Sequence, residues 1–473
     1  MNMGEEQLHI WDPEMPIGYN LAEDSILIFC IDISGSMSVT TEIPNETGYN
    51  YGTSACYTTR MEAVKTGLLE SLYNLYRHCP KRRVALITFS DKIKIYGDGT
   101  LEPKVLEDSE LLDPDYLTVQ GKCQPMPCKL EETLCALESR IERLTENGAT
   151  ALGPAALVAI AMASQKPGSK VIICTDGRAN TDLGNLEDIT EESAYKSSKL
   201  YYSNLADLAL EHSVVVSVLT LEGTDCRLAD LGQLADRTGG KVNIVHPLHL
   251  ANEFQSILEE EITATNVKVK VYLPNTMYFL YKDHTEPLLE QTIGVTTSDT
   301  VMTLEFGIQS SKVQEVLRYS QLPIQVQLTF SLMDGRKGHR IISQRRPVTN
   351  DSSAALESIS VSVLQIHSAQ LSAQLVMEGH VEEATKVALA LKDLIDEVLK
   401  QQADNGNSQI VYGEWENAMS PIYEDLSMYM QKTDEEKNTR NNVIKSLTDE
   451  MASMMFHLKK ARQKVLNKLK HTE

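Results

Sequence analysis

From residue 24 to 262 the chain alternates continuous apolar runs with segments of helical period, and that alternation constrains the fold more than any other feature. SILIFCID (25–32) and KVIICTDG (170–177) lack the every-second-residue polarity of a half-buried strand, as expected of strands covered on both faces. RVALITF, KIKIYG, SVVVSVLTL and KVNIV supply further strands. Between them, RMEAVKTGLLESLYNLY places Met61, Val64, Leu68, Leu72 and Leu75 on one helical face. LEETLCALESRIERL does the same with Leu134, Leu137, Ile141 and Leu144. ALGPAALVAIAMAS is apolar all round and reads as a buried helix. Its apolar run is shorter than the roughly 20 residues a bilayer requires, and no other run comes nearer. DLGQLADRTG and LANEFQSILEEE complete the pattern. Strands alternating with helices define an α/β fold with a doubly wound, mainly parallel sheet.

At Asn266 the period changes. NVKVKVYL and PIQVQLTFSL alternate apolar and polar, as half-buried antiparallel strands do, and MDGRKGHR reads as a hairpin turn before IISQRR. Residues 263–350 therefore read as a β-sandwich. Residues 1–23 have no place in the α/β pattern and are available to that sandwich as a strand. Residues 351–401 form a helical domain, with Leu356, Ile359, Val363 and Ile366 on one face. Val381, Ala384, Ala388, Leu391, Ile395 and Val398 share a face of the next helix, after a turn at Gly379. Residues 402–410, containing QADNGNSQ, read as a polar linker, and 411–473 as C-terminal helices ending on Met451, Met454, Leu458, Ala461, Val465 and Leu469.

A net charge of -22 argues against nucleic acid and against general affinity for an anionic membrane. The C-terminal KKARQKVLNKLKH runs against that balance; it reads as a solvated basic face, with weak contact to an acidic partner or membrane surface as the alternative. The first residues, MNMGEEQLHIWDPEM, have neither the basic start nor the apolar core of a secretory signal. Cys30 and Cys174 fall in buried strands, and eight cysteines in 473 residues do not suggest a disulfide framework. A reducing, cytoplasmic setting is expected. Cys123 and Cys128 lack a second pair and read as loop thiols rather than a zinc site, and His246 and His249 as a surface turn.

The chemistry concentrates at three strand ends. Open parallel sheets bind ligands beyond the carboxyl ends of their strands. Asp32, Ser34 and Ser36, in DISGSM, leave the first strand at that edge, and Asp176, in CTDG, leaves a later one. Thr150, in NGATAL, lies on the loop feeding the buried helix. Ser and Asp in DISGSM would also serve as a helix cap. Together with Thr150 and Asp176 they make a hard oxygen site suited to Mg²⁺ or Mn²⁺. Hydroxyl ligands neutralise none of the ion's charge, so an open coordination position would accept a carboxylate from outside.

DISGSM, the Thr150 loop and the CTDG strand end resemble the three-part metal-ion-dependent adhesion site of von Willebrand factor A domains. The resemblance implies that Ser34, Ser36 and Thr150 bind the ion and that Asp32 and Asp176 support it directly or through water. An A domain followed by a β-sandwich and a helical domain resembles the trunk-centred layout of the COPII inner-coat subunits. CPKRRVALITFSDKIKIYGDG, GATALGPAALVAIAMAS and GTDCRLADLGQLADRTGGKVNIV are similar to stretches of the circularly permuted Ras proteins, which join a permuted small GTPase to a coat-like zinc finger and an A domain. This sequence contains no GxxxxGK[ST] phosphate loop (TGGKVN does not supply one) and no CxxC…CxxC pair, so GTPase and zinc functions are not carried over. Residues 39–58, polar and tyrosine-rich, form an insert beside the metal loops, placed to cover the ion or extend the surface.

The expected function is a non-enzymatic intracellular interaction module that binds a partner's Asp or Glu through the ion. A coat-like or assembly scaffold with a structural metal is the alternative. A metal-dependent hydrolase is more remote, because no histidine falls in the three loops to act as a general base.

Overall fold

The computed structural model describes residues 4–11, 21–43, 56–187, 191–280, 286–298, 300–401 and 447–460. The expected linker at 402–410, the helices of 411–446 and the basic run from 461 onward lie outside the described residues.

Strand β1 (Gly4–Trp11) and the single helical turn α1 (Leu21–Asp24) lead into β2 (Ile26–Asp32). A hairpin of β3 (Thr40–Ile43) and β4 (Cys56–Thr59) precedes α2 (Arg60–His78). Next come β5 (Arg83–Phe89), β6 (Ile93–Gly97), β7 (Lys104–Leu106), α3 (Pro114–Lys122), α4 (Leu130–Glu142) and α5 (Leu152–Ala163). β8 (Lys170–Thr175), α6 (Glu192–Glu211), β9 (Val215–Leu221), α7 (Leu228–Thr238), β10 (Val242–Val245) and α8 (Leu250–Leu258) follow.

The sheet runs β10-β9-β8-β2-β5-β6-β7. β10, β9, β8, β2 and β5 are parallel, and β6 and β7 add antiparallel at one edge. β2 lies at the centre, and its pleat divides its residues between two cores. Ile26, Ile28 and Cys30 face α5, α6 and α7, whereas Leu27, Phe29 and Ile31 face α2, α4 and α8. That two-sided burial is why the strand is apolar at consecutive positions. Helix α2 starts where the Thr59 hydroxyl accepts the Glu62 N–H at 3.1 Å, a side-chain cap. All twelve residues of α5 are buried, partly because α3 presses closely on it: a Cβ at Gly121 would stand 2.6 Å from the Val158 carbonyl oxygen.

Sequence patterning does not place α6. Its 20 residues bury only Tyr202, Leu205, Ala206 and Ala209, too thin an apolar stripe to stand out from its polar surroundings.

Lys170 is an unusual start to a buried strand. Its ammonium donates to the carbonyls of Ile257 (2.8 Å) and Glu260 (2.6 Å) at the end of α8. Burial, and then the charge of Arg82, push its pKa down to about 8. Between roughly pH 8 and 10 the folded chain has released this proton while the unfolded chain still holds it, so stability rises with pH over that window, by at most about 1.4 kcal/mol per unit. Urea unfolding at pH 7.5 and 9.5 is expected to show a gain about 1–2 kcal/mol larger in the wild type than in Lys170→Met.

Beyond α8 come β11 (Ile262–Tyr272), β12 (Met277–Phe279), β13 (Leu288–Thr297), β14 (Phe306–Ile308), α9 (Val313–Val316), β15 (Gln321–Leu332) and β16 (Lys337–Pro347). They form an antiparallel sheet in the order β1-β16-β15-β11-β13, with β12 and β14 as a separate two-stranded ribbon. β1 pairs along β16 from Gly4 opposite Gln344 to Trp11 opposite Lys337. Val269, Val271 and Leu273 pack with Met277, Phe279, Val316 and Leu322, so among the described residues the second layer of the sandwich is the ribbon and α9, with Met302, Leu304 and Val348 packed beside them. The hairpin turn is tighter than MDGRKGHR suggests. β16 already begins at Lys337, opposite Ser331, because polar residues on a solvated face carry no strand signal of their own.

Helices α10 (Ser352–Glu357), α11 (Val361–Met377) and α12 (Val381–Gln401) follow, with Gly379 at φ 89 in the turn before α12. The last described helix, α13 (Asp449–Lys460), packs Met455 and Leu458 against this group and Ala452 and Phe456 against the α/β core. Among the described residues no helix is long and apolar enough to cross a membrane.

Candidate metal centre

β2 ends at Asp32, and the next amide, Ile33 N–H, still pairs with the Phe89 carbonyl at 2.8 Å. The chain then turns tightly through Gly35–Ser38, and Asp32 Oδ1 accepts the Ser34 N–H at 2.8 Å, fixing the start of that turn. Asp32 Oδ2 accepts the Thr175 hydroxyl at 2.5 Å from the end of β8. The Ser34 and Ser36 hydroxyls are 3.0 Å apart, and Ser36 donates to Asp176 Oδ1 at 2.6 Å. Asp32, Ser34, Ser36 and Asp176 are thus joined in one chain of polar contacts across two strand ends.

Thr150 reaches the same edge by another route. Its loop is tied to the serine turn by Gly35 N–H to the Gly148 carbonyl (3.1 Å) and Asn147 N–H to the Ile33 carbonyl (2.8 Å). Asn180 clamps Thr150 from the other side, its Oδ1 accepting the Thr150 N–H at 2.7 Å and its own N–H donating to the Thr150 carbonyl at 3.2 Å. A Cβ on Gly177 would stand 3.8 Å from Ser36 Oγ and 3.9 Å from Thr150 Oγ1, so this glycine lies between the two hydroxyls and leaves the space between them open. Thr150 makes no hydrogen bond to the other four residues among the bonds described.

The arrangement fits a small hard cation. In an octahedral shell with metal–oxygen distances of about 2.1 Å, neighbouring oxygens are ~2.9–3.0 Å apart. The Ser34–Ser36 separation of 3.0 Å meets that spacing. Among the described residues no cluster of three or more His, Cys, Asp or Glu is placed to hold a metal, so a site here depends on hydroxyls joined to two carboxylates. Asp32 is fully buried, and its pKa is pushed up to about 6, chiefly by desolvation and further by the charge of Asp176, against hydrogen bonds from Ser34 and Thr175. Burial, with the Asp32 charge, also pushes the Cys30 and Cys174 thiols well up, which keeps them inert core residues.

Three participants carry no motif signal: Thr175, Asn180 and Arg60. Arg60 opens α2 directly after the β3–β4 hairpin, the paired base of the 39–58 insert, and its N–H donates to the Val39 carbonyl at 2.9 Å. Its Nη1 lies 2.8 Å from Asp176 Oδ2, in an ion pair with both side chains buried, and Nη2 donates to the Glu222 carbonyl at 3.3 Å. An RME… helix start reads as an ordinary solvated arginine; only the fold shows it turned inward.

The sheet order and the convergence of its carboxyl-edge loops are those of a von Willebrand A-type α/β fold. Residues 52–265 match the family described as "Sec23/Sec24 trunk domain". The chain is similar to Circularly permutated Ras protein 1 of Dictyostelium discoideum, with 30% identity over 393 residues covering 78% of this chain and 46% of that protein. It therefore spans about half the length of this curated relative. Among solved structures, the human COPII-coat protein Sec24c aligns with a TM-score of 0.61 over 96% of this chain and 60% of that chain, at 12% identity, a likeness of fold. A von Willebrand factor type A protein from Catenulispora acidiphila aligns with a TM-score of 0.44 at 14% identity, over 84% of this chain and 90% of that chain.

Proposed function

We propose that the chain is a non-enzymatic interaction protein whose A domain holds Mg²⁺ or Mn²⁺ at Asp32, Ser34, Ser36, Thr150 and Asp176 and docks a partner's Asp or Glu there. The observation that carries this reading is the chain of hydrogen bonds at the carboxyl edge of the sheet, from Asp32, which accepts the Ser34 N–H, through the Ser34 and Ser36 hydroxyls to Asp176. Ser34, Ser36 and Thr150 present neutral oxygens, and Asp32 and Asp176 supply charge, with Thr175 orienting the Asp32 carboxylate. A bound divalent ion supplies an electrophilic position for a carboxylate from outside. None of the three loops contributes a histidine to act as a general base, which supports binding rather than hydrolysis.

Calorimetric titration of Mg²⁺ and Mn²⁺ into the wild type and Asp32→Ala tests the site. Saturable binding by the wild type, weakened about 100-fold or more in the variant, is expected. A folded wild type that binds neither ion would overturn the metal reading.

The trunk-domain match favours a second reading, in which the protein is a coat-like assembly scaffold and the ion is structural. It predicts that chelation lowers the unfolding temperature while leaving association with partners unchanged.

A further inference from the structure

Arg60 stands where helix energetics disfavour it. It occupies the first turn of α2, the positive end of the helix dipole, where a cation is repelled rather than attracted. Its guanidinium is buried, and its Nε has no hydrogen-bond partner among the described residues. A buried ion pair gains little over a well-packed apolar pair when its hydrogen bonds are incomplete. Neither the helix nor the core accounts for an arginine here, whereas Asp176 does: Ser36 and Arg60 each hold one of its two oxygens.

We propose that Arg60 is a built-in counter-ion of the metal site, which holds Asp176 in the metal-free state and sets the affinity for a divalent ion. The inference rests on the metal reading above. Two carboxylates and one guanidinium give the empty site a formal charge of −1. An ion entering it shares Asp176 with Arg60 and meets the repulsion of a fixed positive charge a few ångströms away. Once a divalent ion is bound, the same guanidinium leaves the site with a formal charge of +1. Arg60 thus weakens metal binding and strengthens the pull of the loaded site on an acidic ligand. The β3–β4 hairpin, which ends in the Thr59 cap immediately before it, fixes its backbone, so the guanidinium is delivered by the insert as well as by the helix.

The test is Mn²⁺ titration of the full chain, by calorimetry, for the wild type, Arg60→Gln and Arg60→Met, with unfolding temperatures measured in EDTA and in excess Mn²⁺. Gln keeps a hydrogen-bond donor for Asp176 and serves as the readout if the Met variant does not fold. Both variants are expected to bind Mn²⁺ ~10-fold tighter than the wild type. They should unfold below it in EDTA and gain more from Mn²⁺. Equal or weaker Mn²⁺ binding by the variants, with the wild type binding normally, would overturn the role of Arg60 and leave the metal site standing. No saturable Mn²⁺ binding by any of the three would overturn both.

Discussion

Gly240→Ala is expected to destabilise the protein by about 3–5 kcal/mol, with much of the variant recovered in the insoluble fraction. A Cβ at this position would stand 1.8 Å from the Val216 carbonyl oxygen and 2.5 Å from its carbonyl carbon. Both are backbone atoms of β9, so relief requires moving a strand of the sheet rather than rotating a side chain. The adjacent glycine gives the internal comparison. Gly239 ends α7 at φ 79, and a Cβ there would come no closer than 3.7 Å, to the Val295 carbonyl oxygen. Gly239→Ala should therefore lose only about 1–2 kcal/mol, the strain of a left-handed backbone. Chemical unfolding of the pair separates the two effects, and similar losses for both would show that β9 yields readily. The TGG of this stretch thus serves a helix stop and a close strand approach.

The second large effect is expected from Asp449→Ala. The peptide before α7 has no local cap, because Arg227 enters the helix from a left-handed conformation at φ 52 and its side chain bonds none of the first-turn amides. Asp449 supplies the missing acceptors from the start of α13, its two oxygens taking the N–H groups of Cys226 (2.5 Å) and Leu228 (2.7 Å). Removing the carboxylate leaves two buried donors unsatisfied, at a cost of about 2–4 kcal/mol. Phe456, whose ring lies where a Cβ on Gly232 would fall, should loosen with it. Hydrogen exchange is the direct probe. Amides of Cys226, Leu228 and the first turn of α7 should lose protection in Asp449→Ala and lose less in Asp449→Asn, which keeps one acceptor. Unchanged exchange at Cys226 and Leu228 would show that water replaces the carboxylate without penalty.

The sheet and the oxygen donors were legible because each is written locally. β2 and β8 are apolar at successive positions for a reason that any two-sided sheet imposes, and their terminal aspartates follow directly. Arg60, Asn180 and Asp449 were not legible, since each matters through a partner far along the chain. Arg60 meets a residue 116 positions away, and Asp449 caps amides 221 and 223 positions away. No periodicity records such pairings. α6 escaped for a different reason, its stripe of four buried residues in twenty being too weak to give a helical period. The sandwich was readable in β11 and β15, where apolar and polar residues alternate. Its outer face and thin second layer were not, because polar surface strands resemble loops.

The pairing of β1 with β16 has a consequence for biosynthesis. Glu6 and Arg340, hydrogen-bonded at 2.6 Å in the finished sheet, are 334 residues apart. At translation rates of about 5–20 residues per second, the first strand waits on the order of 20–60 s for its neighbour to leave the ribosome. Throughout that interval Leu8, Ile10 and Trp11 belong to an unpaired strand, and all three remain partly exposed even when folding is complete. The α/β domain encoded between them can form meanwhile. Until β16 has been made, the nascent chain therefore carries an open strand with three apolar side chains, the kind of segment that general chaperones capture.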